Sequence, residues 1–99
     1  MYSVDMSNQA EKDHEYVLRG GLSKKLSEIL RTVEEAPYRP TQQFERLTNN
    51  LKGLYSRRLN LHNRFIYEVQ PNDEDLRHPE TGELYEGIVY VVSMWGHPY

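Results

Sequence analysis

Apolar residues recur along this chain with two different periods, and the change of period separates helices from strands. At the start of the chain they alternate with polar ones, at Tyr2, Val4 and Met6, which predicts a short, half-buried strand. Ser7 is then placed to cap a helix that runs toward Leu18. The pair Gly20 and Gly21 is a strong signal for the end of that helix.

A second helix is predicted because apolar residues next recur every three or four positions, at Leu22, Leu26, Ile29, Leu30 and Val33. Polar and charged residues fall between them, so one face of the helix is apolar. Pro37 and Pro40 end it. The two helices together form a helical hairpin that we expect to pack on a sheet.

After the prolines the period shortens to two, which predicts strands at residues 44–47, 54–59 and 64–69. Residues 70–82 contain two prolines, a glycine and most of the nearby acids, so they predict a long exposed turn. Residues 88–95 are almost continuously apolar, which favours a strand buried on both faces near the centre of the sheet.

The predicted order is therefore one strand, two helices and four strands. No repeat or linker interrupts the 99 residues, and this length corresponds to one domain, residues 1–99. The fold class predicted is α+β, with the N-terminal strand and the helical hairpin packed on a mainly antiparallel sheet.

Composition excludes several classes of site. The chain contains no cysteine, so disulfides and thiolate metal sites are excluded, and no apolar run is long enough for a membrane span. We therefore expect a cytoplasmic protein without a membrane partner. We also expect no cofactor, because no phosphate-binding glycine loop is present. We expect no metal, because the four histidines are not spaced along the sequence as metal ligands are: His14, His62, His78 and His97.

The net charge of −3 hides a strong segregation of charge. Residues 44–67 contain one acid, Glu45, and five basic residues, Arg46, Lys52, Arg57, Arg58 and Arg64. Residues 68–86 contain seven acids and a single base. A basic segment of this kind favours contact with nucleic-acid phosphates, although arginines can also simply solvate a strand.

The basic segment carries groups suited to cleaving RNA. That reaction needs a base for the 2′-hydroxyl, a cation for the phosphate and an acid for the leaving oxygen, and Glu, Arg and His can fill these roles. Glu45 fits the base, Arg64 the cation and His97 the acid. On the residues alone the alternatives stay open: a salt bridge from Glu45 to Arg46 or Arg58, an ordinary strand-end charge for Arg64, and a surface histidine for His97.

The motifs of the second half of the chain resemble those of the YoeB/Txe family of toxins. Residues 44–47 contain the glutamate followed two positions later by leucine, and residues 51–59 (LKGLYSRRL) resemble the family pattern LxGxxSRRI. Residues 62–69 (HNRFIYEV) resemble HRLVYEV, and residues 93–97 (SMWGH) match the family's ending. The resemblance covers the chain except for the acidic turn.

The resemblance implies a RelE-like fold of the barnase-like ribonuclease kind and cleavage of messenger RNA in the A site of the translating 70S ribosome. Glu45 would be the general base, Arg64 the group that stabilises the phosphate, His97 the general acid, and Tyr99 the residue that helps to hold the substrate base or the histidine. Arg58 matches the second arginine of the family's Ser-Arg-Arg run and would contact a phosphate. The other predicted RNA contacts are the remaining residues of the basic segment, Arg46, Lys52 and Arg57. A YefM-like antitoxin would inhibit the toxin. The antitoxin would bind operator DNA, and the toxin would be associated with that DNA only indirectly, through the antitoxin.

The chain departs from the family at its tail, where Pro98 separates His97 from Tyr99, and in the length of its acidic turn. It also has Thr48 where some members have lysine, and Asn63 between His62 and Arg64. Two other functions are compatible with the same scaffold: a non-cleaving toxin that binds a topoisomerase, as the related ParE toxins do, and an inactive structural partner of an antitoxin.

Overall fold

The computed structural model describes residues 1–96 as one five-stranded sheet with two helices on one of its faces. The helices are α1 (Asn8–Arg19) and α2 (Ser23–Glu35), and the strands are β1 (Ser3–Met6), β2 (Glu45–Arg46), β3 (Leu54–Arg58), β4 (Arg64–Pro71) and β5 (Gly87–Ser93). The spatial order is β1-β5-β4-β3-β2. Only the β1–β5 pair is parallel among these strands, so the predicted α+β fold with a mainly antiparallel sheet is confirmed.

Both helices begin and end close to the predicted positions. The Ser7 side chain accepts a hydrogen bond from the Ala10 amide at 3.0 Å and so caps α1. At its other end α1 stops before Gly20, and Gly21 takes a positive φ of 74° that favours glycine. Within residues 1–96, neither helix is long and apolar enough to cross a membrane.

The core lies between the helices and one face of the sheet. The helices contribute Ala10, Val17, Leu26, Ile29 and Val33, and the strands contribute Phe65, Tyr67, Val89 and Val91. Because side chains alternate along a strand, the residues between these point to the other face. No helix of residues 1–96 packs on that second face, which we call the open face.

Two of the predicted strands differ in the structure. The strand predicted at 44–47 contains only Glu45 and Arg46, because Gln42 and Gln43 take left-handed φ values of 54° and 53° just before it. The strand predicted at 88–95 lies next to the edge strand β1 rather than at the centre. Its residues alternate between buried and half-buried, so it is not buried on both faces, because its second side belongs to the open face.

The acidic turn connects β4 to β5 at one end of the sheet. Its predicted exposure is confirmed for most of its residues, and its backbone is braced by the Asn72 side chain, which bonds the backbones of Leu76 and Tyr85. Arg64 lies at the opposite end of β4, which at about 3.3 Å per residue places it roughly 23 Å away along the strand. The acidic turn is thus separated in space from Arg64 and from its cross-strand neighbour Arg58.

Candidate functional site

Glu45 and Arg64 meet on the open face, although two different strands carry them. Glu45 in β2 lies opposite Ser56 of the intervening strand β3. The Arg64 guanidinium reaches from β4 across the same strand, so that its Nη2 lies 3.8 Å from Oε1 of Glu45 and its Nη1 donates to Oγ of Ser56 at 3.2 Å. The side chains of Glu45 and Arg64 are 54% and 30% exposed, so a ligand on the open face can reach both.

Ser56 is a site residue that sequence reasoning missed. It is fully buried between Glu45 and Arg64, and its hydroxyl orients the arginine. A signal was present in the sequence, because Ser56 is a polar residue within a predicted strand whose neighbours are apolar or basic. A polar side chain at such a position indicates a hydrogen-bonding task.

Arg58 is the direct cross-strand neighbour of Arg64, so the structure places both guanidinium groups on the open face. Arg58 is half-buried, and its Nε is buried with no hydrogen-bond partner among the described residues. Two arginines side by side repel each other unless an anion lies between or beside them. The predicted position of Arg58 beside the candidate centre thus agrees with a phosphate-binding role.

The structure contradicts the prediction that Arg57 contacts RNA. It points to the helix face and is fully buried, where it donates to the backbone oxygens of Thr41 and Pro37 at 2.9 and 3.1 Å. It also donates to the Gln42 side chain and to the Tyr67 hydroxyl, at 3.3 and 3.1 Å. A side chain whose donors are used in this way cannot reach a substrate, so Arg57 has a structural role.

Tyr67 shows the electrostatic effect of this buried cluster. Burial raises the pKa of Tyr67 above its usual value, and the nearby Arg57 guanidinium partly opposes that increase. Its hydroxyl also donates to the Pro37 carbonyl. The phenol is therefore held neutral as a link between the sheet and the loop after α2.

Arg46 and Lys52 lie away from Glu45 and Arg64. Arg46 pairs with Tyr55 and so points to the opposite side of the sheet from Glu45. Its guanidinium carbon lies 5.3 Å from the ring centre of Tyr38 and 5.6 Å from that of Phe44, which is the range of cation–π contacts. Arg46 and Lys52 line a separate cavity of about 330 Å³ at the sheet edge.

His97 and Tyr99 lie outside the described residues, but the segment just before them is firmly held. The buried Asp13 carboxylate of α1 accepts hydrogen bonds from the amides of Met94 and Trp95 at 2.9 and 3.3 Å. The Asn63 side chain accepts a third from the Gly96 amide at 2.8 Å. Since Asn63 directly precedes Arg64, it joins the end of this segment to the arginine.

The arrangement offers a carboxylate and two guanidinium groups on one exposed surface, which is suited to chemistry on a phosphate ester. A carboxylate can accept a proton, and arginines bind phosphate oxygens through paired donors. Within residues 1–96, His, Asp and Glu side chains form no group of three that could hold a metal ion.

Comparison with known proteins identifies the family. A family model described as the YoeB-like toxin of bacterial type II toxin-antitoxin systems matches residues 6–78. The fold is similar to that of a YoeB/ParE toxin from Agrobacterium tumefaciens, with a TM-score of 0.76 at 18% identity over 97% of this chain and 99% of that one. It is also similar to YoeB from Staphylococcus aureus, solved as a dimer, with a TM-score of 0.72 at 24% identity over 98% of each chain.

A third similar structure is the YoeB–YefM complex from Staphylococcus aureus, with a TM-score of 0.69 at 24% identity over 99% of each chain. Among curated proteins, none matches the sequence. The solved structures establish the likeness in fold, and the family model covers well over half of the sequence. The resemblance noted in the motifs is confirmed, and this chain belongs to the family of YoeB-like toxins of bacterial type II toxin-antitoxin systems.

Proposed function

We propose that this toxin is an endoribonuclease that cleaves messenger RNA in the A site of translating ribosomes. The observation that carries the proposal is the contact of Glu45 with Arg64, 3.8 Å apart on the open face and accessible to a ligand. Ser56 fixes the arginine from below. A base and a phosphate-binding cation are thus present at one point, as cleavage of RNA by its own 2′-hydroxyl requires.

In the proposed reaction, Glu45 takes the proton of the 2′-hydroxyl while that oxygen attacks the adjacent phosphorus. Arg64 donates hydrogen bonds to the phosphate oxygens as negative charge grows on them. The bond to the 5′-oxygen breaks, and His97 supplies the proton that this oxygen takes up. The products are a 2′,3′-cyclic phosphate and a 5′-hydroxyl, and no metal or cofactor takes part.

The RNA would be bound by the basic residues that remain accessible. Arg58 is suited to a phosphate next to the one that is cleaved, because it neighbours Arg64 across the strands. Arg46 and Lys52 would contact RNA that extends to the sheet edge, and Tyr99 would hold the substrate base. The separation of the acidic turn from Arg58 and Arg64 favours binding of phosphates at these two residues, since nearby acids would repel them.

A YefM-like antitoxin is the partner that we propose for this chain. The similar Staphylococcus aureus toxin has been solved as a YoeB–YefM complex and as a heterotetrameric YoeB–YefM assembly. The antitoxin would cover the Glu45–Arg64 surface in the cytoplasm, and only the antitoxin would contact operator DNA. Expression of both proteins together should therefore relieve growth inhibition.

The decisive test replaces Glu45 by glutamine, which keeps the size of the side chain and one acceptor oxygen but removes its basicity. Loss of a general base lowers a rate by about 10²- to 10⁴-fold, so Glu45→Gln should abolish both growth inhibition and the cleavage of cellular messages. Glu68→Gln is the matched control, because Glu68 also lies on the open face but four residues further along β4 than Arg64. Primer extension after induction measures the cuts.

The control should remain as toxic as the wild type, and the 3′ ends of its cut messages should carry a 2′,3′-cyclic phosphate. Toxicity that persists in Glu45→Gln without any cut messages would contradict the proposal and favour a non-cleaving toxin. Intact messages and normal growth with the wild-type protein would instead indicate an inactive partner of an antitoxin.

A further inference from the structure

A second concave surface lies next to the Glu45–Arg64 centre. It is a cavity of about 260 Å³ between the first turn of α2, the loop before β2 and the turn after β3. It is lined by Lys25, Gln42, Gln43, Arg58, Leu59, Asn60 and Leu61. Arg58 belongs to both surfaces, because it lines this cavity and lies opposite Arg64 in the sheet. A chain of phosphates can therefore pass from one surface to the other.

The charge of this cavity is positive and unneutralised. Two of its seven lining residues, Lys25 and Arg58, are cationic, and none of the seven is acidic. Within residues 1–96, neither cation takes part in a salt bridge, and the buried Nε of Arg58 lacks a hydrogen-bond partner. A concave surface with one sign of charge attracts counter-ions more strongly than a flat one.

The start of α2 adds to this positive charge instead of opposing it. Lys24 and Lys25 lie in the first turn, no acidic residue lies there, and the N-cap residue Leu22 forms no side-chain hydrogen bond. The positive end of a helix dipole normally favours acidic side chains, so lysines at this position are unfavourable unless an anion binds beside them. Departures from local preferences of this kind are expected at functional sites.

One wall of the cavity is held rigidly. The Gln42 side chain donates to Oγ1 of Thr32 at 3.1 Å and accepts from the buried Arg57 at 3.3 Å. Its backbone oxygen accepts from the Arg58 amide at 2.9 Å. This wall of the cavity is therefore formed before a ligand binds, and a preformed site orders fewer groups on binding.

We propose that this cavity binds a backbone phosphate of the RNA, one nucleotide or more from the bond that is cleaved. The inference rests on the proposed ribonuclease function, and it adds Lys25 as a residue that recognises the substrate. Leu61, which is 76% exposed, provides an apolar edge on which the attached nucleoside can pack. Phosphate is the RNA group that suits a cavity with two cations and no acid.

The test measures binding of a short 2′-O-methylated RNA, which has no free 2′-hydroxyl and cannot be cleaved. Affinity is recorded by fluorescence anisotropy over a series of potassium chloride concentrations, for the wild type and for Lys25→Gln. Each phosphate contact contributes about 0.7 to the slope of log affinity against log salt for single-stranded nucleic acid. Lys25→Gln should lower the slope by about this amount and weaken binding several-fold at low salt.

Lys24→Gln is the matched control, because Lys24 is the exposed neighbour in the same turn and does not line the cavity. It should bind RNA as the wild type does, and Lys25→Arg should restore the slope. An equal effect of Lys24→Gln and Lys25→Gln would overturn the proposal, and thermal melting of each variant excludes a loss of folding.

The two proposals fail differently. Glu45→Gln should still bind this RNA although it no longer cleaves messages. If the wild-type protein binds RNA through Lys25 but cuts none, the ribonuclease proposal is wrong and the phosphate site stands. If it cuts RNA with no contribution from Lys25, the phosphate site is wrong and the ribonuclease proposal stands.

Discussion

Arg57 and Arg58 are neighbours in sequence but face opposite sides of the sheet, and we predict that their replacement by alanine has opposite consequences. Arg57 is fully buried and donates three hydrogen bonds to the loop after α2, at Pro37, Thr41 and Gln42, and a fourth to Tyr67 of β4. It also lies under the ring of Phe44, with its guanidinium carbon 4.8 Å from the ring centre. Arg58 is half-buried and lines the proposed phosphate cavity.

The size of the Arg57 effect follows from what the truncation leaves behind. Arg57→Ala removes the donors for backbone oxygens and for the Tyr67 hydroxyl, and it opens a void in the core. Breaking a buried charged network of this kind costs about 3–5 kcal/mol. Since domains of this size lose about 4–8 °C of melting temperature per kcal/mol, the melting temperature should fall by about 12 °C or more. Part of the loss is offset, because the guanidinium no longer has to be desolvated.

Thermal melting followed by circular dichroism measures the change, and RNA binding is measured on the same preparations at a temperature where both variants are folded. Arg58→Ala should melt within about 4–8 °C of the wild type, as a change of about 1 kcal/mol allows, but should bind RNA more weakly. Arg57→Lys should remain destabilised, because one ammonium cannot reach all the acceptors that the guanidinium spans. An Arg57→Ala variant that melts like the wild type and loses only RNA binding would refute the structural role.

Two further predictions concern the segment after β5 and the first residue of β5. Asp13→Ala should lower the free energy of unfolding by about 2–4 kcal/mol, since it leaves the amides of Met94 and Trp95 without their charged acceptor. Glu15→Ala, on the exposed side of the same helix, should change the free energy of unfolding by less than about 1 kcal/mol. Denaturant titration compares the two variants. Gly87→Ala should be destabilising by about 1–3 kcal/mol, because its Cβ would lie 2.8 Å from the Gln70 backbone oxygen. A Gly87→Ala variant as stable as the wild type in the same titration would show that β4 and β5 can move apart at little cost.

The helices and their ends could be predicted from the sequence because their determinants are local. The Ser7 cap, the glycine pair after α1 and the apolar face of α2 each act within a few residues. The membership of Glu45 and Arg64 in one site also followed from the sequence, through the segregation of charge and the family motifs. Their contact across β3 required the structure, because the short strand β2 gives almost no periodic signal.

The residues that could not be predicted owe their roles to distant partners. Asp13 reads as one more charge on an amphipathic helix, yet it binds amides 81 and 82 residues later in the chain. Arg57 and Arg58 are successive residues of one strand, so their side chains face opposite sides of the sheet. An error of one residue in the predicted register would exchange the two faces. Asn63 looked like an insertion in the family motif, but its side chain holds the Gly96 amide.

The parallel pairing of β1 with β5 has a consequence for the order in which the protein folds during its synthesis. Ser7 of the β1–α1 junction bonds the Val92 oxygen across 85 residues, so β1 has no partner strand until nearly all of the described chain has left the ribosome. The helical hairpin also lacks part of its packing surface until β5 is present, because α1 packs on that strand. The formation of such non-local contacts is slow compared with the formation of a local hairpin. A cell that makes this toxin therefore has an interval in which the hairpin of β3 and β4 can form while the complete, stable fold does not yet exist.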